Sequence, residues 1–461
     1  MMRLGEAAAA MRGQRVGEDV PFSGVSTDSR SLREGELCVA LRGERFDGHD
    51  FLDAVRAAGA AAVVIDRRHA QAAPLPAVVV DDTKLALGDL ARDWRARFRP
   101  ALIGVAGSNG KTTTKEMIAA ILRSHAGEDQ VLATAGNLNN EIGVPLTLLR
   151  LRAAHRYCAI ELGMNHKGEI AYLAGIAQPT IAVVTNAQRE HQEFMHSVDE
   201  VAEENAAVYR ALPAEGVAVV NADDAHAGVF RAAAAPRRTI GFALQDGAPD
   251  SRADVRGGYV ARPFGSEIRL RTPAGELTAQ LSIPGLHNVR NALAAAACAH
   301  AAGIAPAAIR AGLEAFRPYT GRLQVKRAPN GATVIDDSYN ANPDSVRAAI
   351  DVLASCQPPA VLVLGDMGEV GDQGPAFHRE VGGYARSKGL SALLGIGEAT
   401  RDAVEAFGAN GVHAGSVEEL VEHARKRAEP RATLLVKGSR FMRMERVVAA
   451  LVGGATQGGG H

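Results

Sequence analysis

Apolar runs of four to six residues alternate along this chain with longer segments whose apolar positions recur every three or four residues. That rhythm of buried strand and amphipathic helix predicts an α/β protein. In the first hundred residues, strand patterns fall at 37–41, 62–65 and 77–80, and helical ones at 51–58 and 83–98, where Pro100 closes the last. Strands are expected next at 102–106, 131–134, 157–162, 180–186 and 217–221, with helices at 112–125 and 199–212. Strand after strand joined by helical crossovers predicts a mostly parallel, doubly wound sheet. Short β runs with Gly and Pro turns over 238–283 predict an antiparallel extension, and helices follow at 287–302 and 306–316. Beyond the hinge-like Arg317-Pro-Tyr-Thr-Gly321, strands are expected at 333–336, 360–364, 392–396 and 433–436, with helices at 344–354, 375–388, 417–427 and 442–451. The expected organisation is a small α/β N-terminal domain (1–100), a central doubly wound domain (101–317) and a C-terminal Rossmann-like domain (318–461) whose tail is disordered from about 453.

Composition narrows the class. The 461 residues carry 51 Lys+Arg against 52 Asp+Glu, a formal net charge of −1, so no basic excess invites nucleic acid or an anionic membrane. Hydrophobic content of 47% suits an ordinary soluble protein with several cores. The N-terminus lacks a signal-peptide pattern because Glu6 and Arg12 interrupt it, and the uncharged apolar run at 292–299 is too short to span a bilayer. Cys38, Cys158, Cys298 and Cys356 lie far apart without a CxxC. They are read as reduced, small hydrophobes of a cytoplasmic protein that does not insert into membranes.

The chemistry concentrates where strands end. Leu102 to Thr114 reads as a strand, then Gly107-Ser108-Asn109-Gly110-Lys111-Thr112-Thr113, then a helix. Glycines turn backbone N–H groups toward phosphate oxygens, the helix start adds positive charge, Lys111 supplies a mobile cation and Thr112 a hydroxyl for Mg²⁺. The spacing is shorter than in the general phosphate-loop motif, which wants glycine where Val105 stands. Asn137, Asn139 and Asn140 follow the 131–134 strand, in the position of crevice-lining loops. Glu161 ends a buried strand, where a carboxylate is costly unless paired or metal-bound. His191 follows the next strand and can reach the same crevice. Asn288 and Asn291 lie three apart on one helix face, suited either to a base edge or to a polar cap. Thr27, Asp28, Ser29 and Arg30 form a hydroxyl-rich turn suited to a nucleotide or phosphate, ahead of the 40–43 turn. Polar loops at 336–345, 365–371 and 437–440 close three successive strands of the last domain and outline one binding rim.

On these residues the chain resembles the Mur ligases, ATP-dependent peptide ligases of bacterial cell-wall precursor synthesis. GSNGKTTTKEM at 107–117, GNLNNEIGVPLTLL at 136–149, ELGMNHKGEI at 161–170, DDSYNANPDS at 336–345, GDMGEVG at 365–371 and VKGSRFMRME at 436–445 stand in family order across all three blocks. The YNANPDS loop, with no DNPR motif anywhere, is similar to the member that adds D-alanyl-D-alanine rather than diaminopimelate. The resemblance implies that ATP phosphorylates the terminal carboxylate of UDP-N-acetylmuramoyl-tripeptide. The amine of D-alanyl-D-alanine then displaces phosphate, giving the pentapeptide precursor of peptidoglycan used in cell-wall biogenesis, cell shape and division. It implies that Lys111 neutralises β/γ-phosphates, that Thr112, Glu161 and His191 hold Mg²⁺, and that Asn288, Asn291 and Asp337 contact the nucleotide. Arg322 would reach phosphate on domain closure. Tyr339, Asn340, Lys437, Ser439 and Arg440 would serve the incoming dipeptide side, and Thr27 to Arg30 the UDP-sugar. A monomer is expected.

The sequence departs from the family at one place that matters. The family carries a carbamoylated lysine in the helix after the His191 loop, and Asn205 holds that position here, with no lysine between Lys167 and Lys326. Asparagine cannot carry a carbamate. Glu193, Glu203 and Glu204 are the nearby carboxylates that could replace its charge, unless Glu161, His191 and substrate oxygens suffice. The loop Asn186-Ala-Gln-Arg-Glu-His191 also differs from the family's usual NIGxAH. A folylpolyglutamate synthase and a P-loop ATPase switch remain as alternatives, although no NKxD guanine-reading motif occurs.

Overall fold

The structure is a computed structural model that describes residues 1–43, 46–190, 192–245, 253–262 and 264–453. Three main sheets follow one another along the chain. The first has five strands in the order Gln14–Val16, Ala77–Val80, Ala62–Asp66, Leu37–Val39, Val25–Ser26, parallel except for the exposed edge strand Gln14–Val16. The second has nine strands. At its centre Ala101–Ala106 lies between Tyr157–Glu161 and Ile181–Val184, all parallel. The third has six, in the order Gln324–Arg327, Thr333–Asp337, Thr433–Lys437, Ala360–Gly365, Ala392–Ile396, Gly411–Ala414, again parallel apart from the first. The expected α/β class and the two doubly wound sheets are therefore present. The expected tail lies beyond Gly453, outside the described residues.

The extension of the central sheet differs from expectation. Arg238–Leu244 pairs parallel with Val217–Asn221, and Val255–Arg262 pairs parallel with Arg238–Leu244. Antiparallel pairing begins only with Gly265–Thr272 and Gly275–Leu281. The helix Ala227–Ala234, an alanine-rich segment, carries the chain back across the sheet so that Arg238–Leu244 enters in the same direction as Val217–Asn221.

The central strands are buried on both faces, and their alternation assigns successive residues to different cores. In Ala101–Ala106, Ile103 and Val105 join a cluster that runs on through Ile335, Leu362 and Leu435 of the last sheet. Leu102 and Ala106 join another that runs on through Leu37, Val64, Leu87 and Trp94 of the first. Helix Thr83–Ala96 seals the N-terminal side. The Trp94 indole donates to the Leu151 carbonyl (3.1 Å), and the buried Arg95 guanidinium donates to the carbonyls of Ala177, Gln178 and Phe98 (2.9–3.0 Å). Gly88 allows the close approach, since a Cβ there would sit 2.4 Å from the Tyr172 hydroxyl.

The C-terminal side is held by polar groups as well as apolar ones. Arg189, from the loop after Ile181–Val184, reaches Asp344 (2.6 Å) and Glu380 (2.7 Å) of the last domain. Asn109 of the glycine loop and Asn342 exchange an amide hydrogen bond (2.9 Å), and the Glu193 N–H donates to the Glu369 carbonyl (3.3 Å).

Candidate active site

The loop between Ala101–Ala106 and helix Lys111–Ala126 depends on two glycines. Gly107 and Gly110 have φ of +122° and +83°, a region that L side chains avoid. A Cβ on Gly107 would lie 2.2 Å from the Thr185 hydroxyl, and one on Gly110 would lie 2.4 Å from the Asn291 amide oxygen. Gly110 caps the helix without a side chain, so the first-turn N–H groups stay open to an anion. Lys111 folds back over its own loop, donating to the carbonyls of Gly107 and Ser108 and lying 3.3 Å from Glu190.

Beside the helix start, the Thr112 hydroxyl donates to Glu161 Oε1 (3.2 Å), as does the Asn139 amide (2.9 Å). The Glu161 N–H is fixed by the Thr134 hydroxyl (3.0 Å), whose residue gives its carbonyl to the buried Lys115 ammonium (2.8 Å). Glu161 is 2% exposed and its Oε2 has no hydrogen-bond partner among the described residues. A buried carboxylate oxygen left open beside a threonine hydroxyl and a phosphate-type loop fits a hard divalent cation, with Thr112 and Glu161 as its protein ligands. His191 lies outside the described residues. The Asp47–His49–His69 grouping in the first domain does not read as a metal site. The His49 ring is already spent, with Nδ1 on Asp47 and Nε2 accepting the Asp66 N–H (3.0 Å).

A cleft of about 890 Å³ gathers most of the expected residues. From the central domain it takes Ser108, Asn109, Gly110, Lys111, Thr112, Thr113, Asn137, Asn139, Asn140 and Glu161. Across it stand Arg322, Tyr339, Asn340 and Arg440. The Arg322 guanidinium sits 4.2 Å above the Tyr339 ring, and its Nε is buried without a partner among the described residues, a second open polar group in the cleft. Burial raises the Tyr339 phenol above its usual range, against the opposing pull of Arg322. Asn140 is largely occupied locally, accepting from the Gly143 N–H (2.9 Å) at the start of the next helix.

A second cavity of about 330 Å³ shares Asn109, Gly110, Thr113 and Arg322 with the first and adds Asn288, Asn291, Asp337 and Lys437. Here the two asparagines spend much of their capacity within the protein. Asn288 donates to the Pro284 carbonyl (2.7 Å) and accepts from Asn291 (3.1 Å). Lys437 is held by Asp337 (2.6 Å) and the Asn340 carbonyl (2.8 Å), and burial lowers its pKa although Asp337 opposes this. Ser439 lines neither cavity and ties loops together, donating to the Ala341 carbonyl (3.1 Å) and accepting from the Gly368 N–H. Thr27, Asp28, Ser29 and Arg30 also lie outside both cavities, and Arg30 pairs with Asp28 (2.8 Å). They follow the strand Val25–Ser26, at the same sheet rim as the turn after Leu37–Val39. Lys84 and Leu85, further along the same domain, join the larger cleft.

Sequence reasoning missed Gln188, Arg189 and Glu190 as individuals. The Gln188 N–H meets the Ser108 hydroxyl (2.9 Å) and its side chain accepts from Asn109 (2.7 Å), Arg189 reaches the last domain and Glu190 meets Lys111. Their only sequence signal was position, a polar triplet just past a buried strand. It also missed His287 in the second cavity, whose pKa desolvation lowers to about 4. Among the carboxylates considered near Asn205, Glu204 accepts from the Gly168 and Ile170 N–H groups (2.9 and 2.8 Å), and Glu203 pairs with Arg210 (2.6 Å).

Fold and loop together define a P-loop α/β protein with a cleft that faces its last domain. Sequence profiles of the Mur ligase catalytic, middle and glutamate ligase domains match residues 21–95, 105–299 and 321–440 respectively. The UDP-N-acetylmuramoyl-tripeptide--D-alanyl-D-alanine ligase of Escherichia coli (strain K12) is 39% identical, covering 97% of this chain and 98% of its own. Its counterpart in Bacillus subtilis (strain 168) is 34% identical over 94% of each chain. A crystal structure of MurF from Acinetobacter baumannii superposes with a TM-score of 0.89 at 34% identity, covering 98% of this chain and 99% of that one. The chain belongs to the Mur ligase family.

Proposed function

We propose that this protein joins D-alanyl-D-alanine to UDP-N-acetylmuramoyl-tripeptide at the expense of ATP, as an enzyme of peptidoglycan precursor synthesis in the cytoplasm. The observation that carries the reading is the cleft itself. An open phosphate-type loop with Lys111, Thr112 and the Glu161 oxygen that has no partner among the described residues faces Arg322 and Tyr339 of the last domain. Near-full-length relatives bearing that ligase name support the choice of substrates over folate and glutamate. Residues 1–100, 101–317 and 318–461 then serve the UDP-sugar, the ATP and the dipeptide respectively.

In this reading the triphosphate takes the first-turn N–H groups of helix Lys111–Ala126, and Lys111 leaves its own loop carbonyls for phosphate oxygens. Asn288, Asn291 and Asp337 border the base and ribose in the smaller cavity. Thr112, Glu161 and His191 would hold Mg²⁺, which would supply neutralisation of phosphate charge. Arg322 brings a further positive charge from the opposite wall. A tripeptide carboxylate oxygen attacks the γ-phosphorus, the bond to the ADP oxygen breaks, and an acyl phosphate forms. The neutral amine of D-alanyl-D-alanine attacks its carbonyl carbon. The adduct loses a proton and expels inorganic phosphate, leaving the amide. Tyr339, Asn340 and Arg440 line the side from which that amine approaches, with Lys437 and Ser439 bracing their loops. Closure of the cleft would exclude water, which would otherwise hydrolyse the acyl phosphate.

The test is ADP and phosphate release read together with product mass. Release requires both the nucleotide tripeptide and D-alanyl-D-alanine, and yields the pentapeptide. Phosphate release with ATP alone, or dependence on folate and glutamate, would sink this assignment.

A further inference from the structure

The glycine loop spends its first N–H groups on the protein. The Ser108 N–H donates to the Asn186 carbonyl (3.0 Å) and the Asn109 N–H to the Asn186 amide oxygen (3.0 Å). The Gly107 N–H donates to the Asn205 amide oxygen (2.6 Å). Asn186 belongs to the loop just after Ile181–Val184, but Asn205 comes from the helix Val198–Arg210, 98 residues away from Gly107 in sequence. Asn205 is 1% exposed, and its amide nitrogen donates to the Val201 carbonyl (2.9 Å) one turn earlier. Both ends of the amide are committed, so it cannot turn away from Gly107 without stranding a buried donor. Gly107, at φ of +122°, has no side chain of its own to steady the loop.

The residue before it grips a second loop. Glu204, partly buried, accepts the Gly168 N–H (2.9 Å) on one oxygen and the Ile170 N–H (2.8 Å) on the other, at the start of helix Glu169–Ala177. A carboxylate suits a helix N-terminus, where open N–H groups and partial positive charge meet. The loop 163–169 that leads into this helix lines the larger cleft together with Lys84 and Leu85 of the first domain. Successive helical residues point about 100° apart, so one turn of Val198–Arg210 reaches both loops. Neither Glu204 nor Asn205 lines either cavity, so each acts on the site through the loop it holds. We infer that Asn205 and Glu204 are positioning residues for the ligation, Asn205 setting the glycine loop for ATP and Glu204 setting the 163–169 wall for the nucleotide tripeptide, so that a single helix turn fixes the two sites relative to each other. This rests on the assignment of both substrates to the cleft.

Two measurements on the full chain test it: calorimetric binding of a non-hydrolysable ATP analogue, and the KM for the nucleotide tripeptide at saturating ATP. Asn205→Ala should weaken the analogue by about tenfold, the scale expected for stranding a buried N–H, and leave the tripeptide KM nearly unchanged. Asn205→Asp, which keeps an oxygen toward Gly107, should recover part of that loss. Glu204→Gln, whose amide can accept only one of the two N–H groups, should raise the tripeptide KM several-fold and leave analogue binding as in wild type. Unweakened analogue binding in Asn205→Ala, no recovery in Asn205→Asp, or equal losses for both substrates in either variant would each overturn the inference, the last being what a merely structural role produces. Should Asn205→Ala not fold, Glu204→Gln still decides the matter, because an unchanged tripeptide KM in that variant overturns the inference by itself. A wild type that fails to bind the analogue, or turns over without the tripeptide, would overturn the substrate assignment and the inference with it.

Discussion

The central sheet is gripped from two sides by different kinds of contact. On the N-terminal side the contact is a continuous apolar core, closed by Trp94, by the buried Arg95 on three carbonyls and by a helix crossing so tight that Gly88 is required. On the C-terminal side apolar packing is supplemented by Arg189 with Asp344 and Glu380, by Asn109 with Asn342, and by the cavity between them. Arg189 remains a quarter exposed, so water and salt reach it. Apolar burial is insensitive to ionic strength and costly to undo, whereas charged contacts at a wet seam can be remade. The first seam is the harder to open, and the second borders both cavities.

The largest effect that would break this contrast concerns Trp94. Trp94→Ala should lower unfolding free energy by about 3–5 kcal/mol, as large aromatic truncations do, measured by denaturant unfolding. The folded fraction should keep its KM for ATP. A large KM change at unaltered stability would mean that the first seam also moves.

Next comes pH. His287, near Asp337, Lys437, Arg290 and Asp351, is held down to about 4 by desolvation. Its ordinary value is about 6.5, so between these two the unfolded chain carries a proton that the folded chain refuses. The contribution is complete above about pH 6.5 and fades as pH falls toward 4, by on the order of 3 kcal/mol at the limit. Unfolding measured across that window should show the slope, and His287→Gln should flatten it.

Arg189→Ala should lower kcat by about tenfold or more, consistent with loss of a part-buried charge pair worth about 1–3 kcal/mol. With the nucleotide placed as proposed, mainly against the central domain, KM for ATP should change less than kcat. Equal changes in both would place Arg189 in nucleotide binding instead of closure. The smallest expected effect is that of salt. Raising ionic strength should slow turnover of the wild type by a modest factor and Arg189→Ala less, with thermal unfolding of Trp94→Ala and wild type shifting alike.

Much of this was legible in the sequence. Strands at 77–80, 217–221 and 392–396 and the helix at 417–427 match the structure residue for residue, because buried parallel strands and capped amphipathic helices carry strong local patterns. Gln14–Val16 and Gln324–Arg327 were not legible. Both are edge strands with little buried apolar surface, and their partners fix them. The helix Glu169–Ala177 was hidden because its apolar residues surround it rather than form one stripe. At the site, Lys111, Thr112 and Glu161 were readable from glycine spacing and a strand-end carboxylate. Arg189 and Glu190 were not singled out, since the neighbouring domain and the folded-back lysine that they meet lie far away in sequence. Asn205 was visible as a departure, but its grip on Gly107 needed coordinates.

The strand Ala101–Ala106 lends its alternate residues to two different cores. A slip of one position would hand each side chain to the wrong core, so the register of this strand is locked from both faces. Leu102 and Ile103 are neighbours in sequence yet belong to separate mechanical neighbourhoods. The glycine loop that follows this strand is thereby tied to both halves of the molecule at once, and a displacement of either would reach that loop first.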